Sequence, residues 1–241
     1  MERLLVALDT GTAREALALA DSVRGHVGGF KIGNQLFTSA GPDVVRTLAS
    51  RGERVFLDLK FHDIPNTVAG AIASVAALGV WMVNVHASGG RAMLEAARTA
   101  ADRAAEKSGS RPLVIAVTVL TSLNAEALTE VGVGSPPQDQ VLRLAALAQS
   151  TGLDGVVASA QETAALRRAC GSDFVIVTPG IRGGSAQASR DDQQRTMTPA
   201  EALAAGASYL VVGRPITGAP DPRVAAIRIA ADLGSVAVDR L

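Results

Sequence analysis

Short apolar runs of β character recur along this chain about every 25 to 30 residues, and this spacing limits the possible folds more than any other feature. Eight runs can be counted: Leu4 to Asp9, Gly29 to Gly33, Val55 to Lys60, Met82 to His86, Leu113 to Val119, Gly155 to Ser159, Phe174 to Pro179 and Tyr209 to Gly213. Between them lie Ala- and Leu-rich stretches with helical spacing, among them Arg14 to Val23, Pro42 to Arg51, Thr67 to Leu78, Arg91 to Lys107 and Gln138 to Ser150. Strands that alternate with helices pair in parallel through right-handed crossovers. Parallel strands buried on both faces read as nearly unbroken apolar runs, as Val114 to Val119 and Leu210 to Val212 do. Eight such units in 241 residues predict an α/β chain closed into a (β/α)₈ TIM barrel, a fold of roughly 250 residues, forming a single domain over 1–241. The first β-to-α connection, Asp9-Thr10-Gly11-Thr12, has one glycine where a dinucleotide fingerprint needs three. The segment Asn124 to Pro137 reads as a long surface connection with a short helix.

Charge narrows the partners. Lys plus Arg and Asp plus Glu both number 23, so no global excess of positive charge favours nucleic acid or an anionic membrane, and an anion must be recognised locally. Cys170 is the sole cysteine, which excludes an intrachain disulfide, suits a reducing cytoplasm and is expected to be an inert, buried thiol. Met1 to Asp9 reads as a strand instead of a signal peptide. Only Lys31, Lys60 and Lys107 are lysines, against 20 arginines. Arginine does not release a proton near neutrality and lysine can, so a lysine kept in an arginine-using chain is a candidate proton donor.

The third strand ends Asp58-Leu59-Lys60 and continues Phe61-His62-Asp63-Ile64-Pro65-Asn66-Thr67. Alternation along a strand puts Asp58 and Lys60 on one face and Leu57 and Leu59 on the other. In a barrel the charged pair then points inward at the C-terminal rim, where active sites of this fold lie. Asp9, Lys31 and Asp63 are expected at the same mouth. Carboxylates within about 4 Å favour the ammonium form of a lysine by a few kcal/mol at an effective dielectric of about 20. That argues against a Schiff base, which needs a neutral amine. It favours an ammonium that stabilises developing negative charge and delivers a proton to it. Loss of carbon dioxide beside Asp58, with the carbanion protonated by Lys60, fits best. Metal binding by Asp58, His62, Asp63 or His86 is the competing use, and the fixed ammonium of Lys60 opposes a divalent cation.

The seventh and eighth strands run into Thr178-Pro179-Gly180-Ile181-Arg182 and Gly213-Arg214-Pro215-Ile216-Thr217. Barrels bind phosphate with these two loops and the N-terminus of a short helix. Gly180 and Gly213 permit close backbone approach, while Arg182 and Arg214 supply charge-assisted hydrogen bonds. The polar stretch Gly183 to Arg195 is placed to close over a ligand, with Gln193 bonding across it.

These residues resemble the orotidine 5′-monophosphate decarboxylases of pyrimidine nucleotide synthesis. The likeness runs from Leu8-Asp9 through Lys31-Ile32-Gly33, the ten residues from Asp58 to Thr67, Thr121-Ser122 and Thr178 to Arg182, to Gly213-Arg214-Pro215-Ile216. It implies a homodimeric barrel that converts orotidine monophosphate to UMP and carbon dioxide without cofactor, and the single cysteine and the strand-like start make a cytoplasmic protein the expectation. By that resemblance Lys60 is the proton donor and Asp58 faces the departing carboxylate. Asp9 and Lys31 would hold ribose hydroxyls, and Asp63 and Thr67 would reach into the partner subunit's site. Thr121 and Ser122 would meet the pyrimidine, while Arg182, Gln193, Gly213 and Arg214 would bind phosphate or close the lid. Two other readings remain at this point: a metal-assisted decarboxylase or aldolase of sugar phosphates with a similar Asp-x-Lys-x-x-Asp pattern, and a non-catalytic phosphometabolite-binding barrel.

Overall fold

A computed structural model describes residues 1–181 and 197–238. The eight apolar runs become parallel strands β1 (Leu4–Ala7), β2 (Gly29–Gly33), β3 (Val55–Phe61), β4 (Met82–His86), β5 (Leu113–Val117), β6 (Gly155–Val157), β7 (Val175–Thr178) and β8 (Tyr209–Val212). They hydrogen-bond in chain order, and β8 returns to β1 through pairs such as Val211 with Leu5, closing the barrel. The strands stop short of their sequence-predicted ends at Asp9, Val119, Ser159, Pro179 and Gly213. Ladder bonds continue one residue further, as from Leu8 N–H to the Lys31 carbonyl and from Thr118 N–H to that of Val157, before each chain turns out towards its helix.

Alternation sorts the apolar side chains into two layers. Leu5, Phe56, Met82, Ile115, Val177 and Val211 fill the barrel interior. Leu4, Val6, Phe30, Leu57 and Val83 belong to the layer between strands and helices, with Leu59 packed against it. Phe56 inside and Leu57 outside place Asp58 inside, the phase expected from the sequence.

The surrounding helices are α1 (Ala13–Val23), α2 (Asn34–Ala40), α3 (Asp43–Ser50), α4 (Pro65–Ala76), α5 (Arg91–Ser108), α6 (Ala125–Glu130), α7 (Pro137–Ser150), α8 (Thr163–Cys170), α9 (Pro199–Ala204), α10 (Arg214–Thr217) and α11 (Pro222–Val238). Local chemistry fixes several starts. Thr12 accepts from Glu15 N–H at the head of α1, and Thr198 with Glu201 forms a reciprocal cap on α9. Pro65 opens α4, where its missing N–H costs nothing. The expected short helix after Asn124 is α6, and α10 supplies the short helix after β8. Cys170 at the end of α8 is partly buried, and burial pushes its thiol above the usual range, so it is a weak nucleophile. Among the described residues, no helix is long and apolar enough to cross a membrane.

The N-terminal end of the barrel is shut. The Arg54 guanidinium lies 4.9 Å from the Trp81 ring centre and 5.9 Å from that of Tyr209, while donating to the carbonyls of Gly28 and Glu2. Arg167 bonds the carbonyls of Gly171, Ser172, Phe174 and Gly206. These guanidinium groups are occupied by backbone oxygens and hold the strand starts together. At the same end Arg111 pairs with Asp154 ahead of β6, whereas Lys31, Asp58 and Lys60 gather at the opposite end.

Candidate active site at the barrel mouth

Four charged groups on three adjacent strands and their ends form a row of alternating sign. Lys31 Nζ lies 2.8 Å from Asp9 Oδ1 and 3.7 Å from Asp58 Oδ2, and Lys60 Nζ lies 2.7 Å from Asp58 Oδ1. The side chains of Lys31 and Asp58 are 11% and 14% exposed, against 30% for Lys60 and 52% for Asp9. The centre of the row is thus the least hydrated part, where charge–charge interactions are screened least. Gly33 permits this packing, since a Cβ there would stand 2.9 Å from Lys31 Nζ.

Lys60 is the one non-glycine residue with positive φ among the described residues, at 55°. An L-residue in this conformation costs roughly 1–2 kcal/mol. The pairing of β3 with β4 shifts register between Leu57 and Phe61, so the strand is bent where Lys60 sits. Its N–H bonds 2.8 Å to Asn84 Oδ1, and Asn84 Nδ2 donates to Asp58 Oδ1 at 2.7 Å. Asn84 is fully buried. It was not singled out from the sequence, although an amide within Met82-Val83-Asn84-Val85-His86 is a signal: a polar residue on the inward phase of an apolar strand needs a partner inside.

The row borders a cavity of about 780 Å³, within the range of small-molecule sites. Of the residues singled out from the sequence, Asp9, Lys31, Asp58, Lys60, Thr121, Gly180, Gly213 and Arg214 line it, Gly180 with the positive φ of 76° that glycine tolerates best. Gln35 lines it as well. Gly213 sits at the N-terminus of α10, with Arg214 as its first residue. Beneath these groups the wall is apolar, formed by Phe56, Val177 and Val211. Charge therefore collects along the β1-to-β3 side and at Arg214 after β8.

The other expected residues are placed differently. Asp63 does not converge on the mouth within one chain. It is exposed, its carboxylate accepts from Ile64 N–H at 2.6 Å, and it does not line the cavity. The turn begun by Lys60 carries it outward, where it precedes α4. Thr67, on the first turn of α4, is exposed beside the exposed Ile64. Ser122 is exposed and lies off the cavity lining, next to Thr121. Arg182 and Gln193 lie outside the described residues.

His62 and His86 form a tilted ring pair with centres 5.5 Å apart. Among the described residues, no group of three or more His, Cys, Asp or Glu is arranged to hold a metal ion. Burial holds His86 below its ordinary value of 6.5, assisted by His62 and Lys60 and opposed by Asp58. With the folded value depressed, the unfolded chain binds the proton more readily. Stability is therefore expected to fall as pH drops from about 6.5 towards the lower folded value, and to be insensitive to this group above that window. Urea midpoints measured from pH 7.5 to 5 should show a smaller acid-side loss for His86→Gln than for the wild type. Parallel curves would exclude the contribution.

A profile of the Orotidine 5'-phosphate decarboxylase / HUMPS family matches residues 2–229. Orotidine 5'-phosphate decarboxylase of Moorella thermoacetica is 55% identical over 237 residues, spanning 98% of this chain and 93% of the relative. The Chromobacterium violaceum enzyme of the same name is 57% identical over 225 residues, spanning 93% and 88%. The crystal structure of orotidine 5'-phosphate decarboxylase from Lactobacillus acidophilus superposes with a TM-score of 0.85 at 38% identity, covering 95% of this chain and 98% of that one.

Proposed function

The chain belongs to the orotidine 5′-phosphate decarboxylase / HUMPS family, and from that premise we propose that it converts orotidine 5′-monophosphate to UMP and carbon dioxide in pyrimidine biosynthesis. The observation that carries the chemistry is the ion pair between Lys60 and Asp58, 2.7 Å apart at the edge of a cavity of about 780 Å³.

Breaking the bond from ring carbon six to the carboxylate leaves its electron pair on that carbon. The pair lies in the ring plane and cannot delocalise into the carbonyls, so a nearby cation must stabilise it. Lys60 supplies that charge and then an N–H proton to form the C–H bond of UMP, and solvent reprotonates the amine. Asp58 holds the ammonium and faces the departing carboxylate. Lys31 and Asp9, already paired at 2.8 Å, present a donor and an acceptor suited to ribose hydroxyls. The row is ordered before substrate arrives, so little reorganisation accompanies charge development. The mechanism calls on no cofactor or metal.

Phosphate falls to the loops after β7 and β8: Gly213 with Arg214, together with Arg182 and, from the lid, Gln193. Thr121 and Ser122 meet the pyrimidine. Binding energy from this remote phosphate drives closure that completes the site. The whole chain serves as one barrel domain in the cytoplasm, as a homodimer. Exposed Asp63 and Thr67 project from the β3-to-α4 corner, which suits groups that complete the partner subunit's site.

The direct test is a spectrophotometric assay with orotidine 5′-monophosphate, run with and without chelator. Loss of the substrate's absorbance at the same rate in both is expected. No turnover in either sinks the assignment, and turnover abolished by chelator moves it to the metal-assisted alternative.

A further inference from the structure

We propose that Asn84 is a positioning residue for the reaction, its amide holding both the backbone of the proton donor Lys60 and the carboxylate of Asp58; this rests on the roles given above to those two groups. Asn84 lies mid-strand in β4 and is fully buried on the face that carries Met82 into the barrel. An amide at such a depth costs a few kcal/mol unless its polar atoms are satisfied, and an apolar residue would fill the place without that cost. Both of its recorded bonds go to the reacting pair: Oδ1 accepts from Lys60 N–H at 2.8 Å, and Nδ2 donates to Asp58 Oδ1 at 2.7 Å.

Each bond answers a need of the site. Where β3 and β4 lose register, the backbone ladder leaves the Lys60 N–H to be satisfied by a side chain. Asn84 accepts it and thereby holds Lys60 in its left-handed conformation of φ 55°. Without that bond, relaxation of the backbone would swing the ammonium away from the cavity. At Asp58, Oδ1 receives Asn84 Nδ2 and Lys60 Nζ together. That fixes the carboxylate rotation, leaving Oδ2 towards Lys31 at 3.7 Å. One planar group must therefore offer a donor and an acceptor at once. Leucine offers neither, and an ionised aspartate offers only acceptors.

The test combines kinetics with a readout independent of activity. Because the chain has three lysines, ¹⁵N-lysine labelling gives a spectrum of three backbone amides, with Lys60 identified by its absence from a Lys60→Arg protein. In Asn84→Leu the Lys60 signal is expected to shift strongly while that of Lys107 stays. kcat should fall on the order of 10²-fold, as misplacement of a reacting group by about 1 Å produces, with KM changed less than about threefold. If the leucine protein does not fold, Asn84→Ser carries the same two readings.

Asn84→Asp separates positioning from packing by its pH profile. The charged groups around the new carboxyl are Asp58 and Lys60 of β3, with Lys31 of β2 beyond Asp58 and His86 two residues along β4. Ionised, it repels Asp58. Protonated, it again donates to Asp58 and accepts from Lys60 N–H, so its kcat relative to wild type should rise as pH falls from 8 towards 5.5 at constant fold by circular dichroism. Wild-type kcat in the first variant with an unmoved Lys60 signal, or a pH-independent ratio in the second, overturns the proposal. Inactivity of the wild type on orotidine 5′-monophosphate counts instead against the assigned reaction, and the Lys60 amide signal still decides whether Asn84 holds that backbone.

Discussion

Replacing Lys60 by alanine is expected to lower kcat on orotidine 5′-monophosphate by on the order of 10⁴-fold or more, since in the proposed mechanism one group supplies both the proton and the charge that stabilises the carbanion. The fold should survive. Lys60 is partly exposed at the mouth and lies outside both apolar layers, and alanine creates no core cavity. The change also removes the cation nearest Asp58 Oδ1, but Lys31 and the Asn84 amide still face that carboxylate. An unchanged melting transition together with loss of single-turnover decarboxylation is the expected pair of results. A kcat within tenfold of wild type would remove Lys60 from the mechanism. Loss of the melting transition would show that the ion pair is chiefly structural.

The second large effect is a recovery. If the proposed shared site holds, Asp63→Ala and Lys60→Ala homodimers should each be nearly inactive, the first because each site then lacks the carboxylate proposed to come from its neighbour. In a mixed dimer one site carries both defects and the other carries none. In a two-fold symmetric assembly an equal mixture after subunit exchange is then expected to regain about one quarter of wild-type activity. The premise is visible in one chain: Asp63 is exposed on the corner before α4 and off the lining of its own cavity. No recovery in demonstrated heterodimers rules out the shared site. Normal activity of Asp63→Ala alone rules out its participation.

Much of the architecture was legible without coordinates, because strand periodicity is local. Apolar runs of five to seven residues alternating with helical stretches mark strands of a parallel sheet buried on both faces, and the eight units leave a barrel as the natural closure. The facing of Asp58 followed from counting in twos from Phe56. Element ends were less legible. β1, β5 and β6 stop two residues early, because assigned strand ends depend on partners across the barrel, which local pattern does not contain. Lys60 is the instructive case. Its inward direction was expected from strict alternation, yet φ 55° and a register shift intervene between Asp58 and its ammonium, so the chain reaches the cavity by a bend that periodicity does not describe.

By itself the sequence determined the strand count, the inward phase of Asp58, the isolation of three lysines among arginines, and the glycine-arginine pairs after the seventh and eighth runs. Those are properties of neighbouring residues, and pleat geometry converts them directly into faces. Only the tertiary structure decided which charges touch. It joined Asp9, Lys31, Asp58 and Lys60 into one row, set Asp63 outside it, and brought Asn84 from 26 positions along the chain to within 2.7 Å of Asp58. Contacts between strands depend on how the barrel closes and staggers, and a chain read one residue at a time carries no measure of that distance.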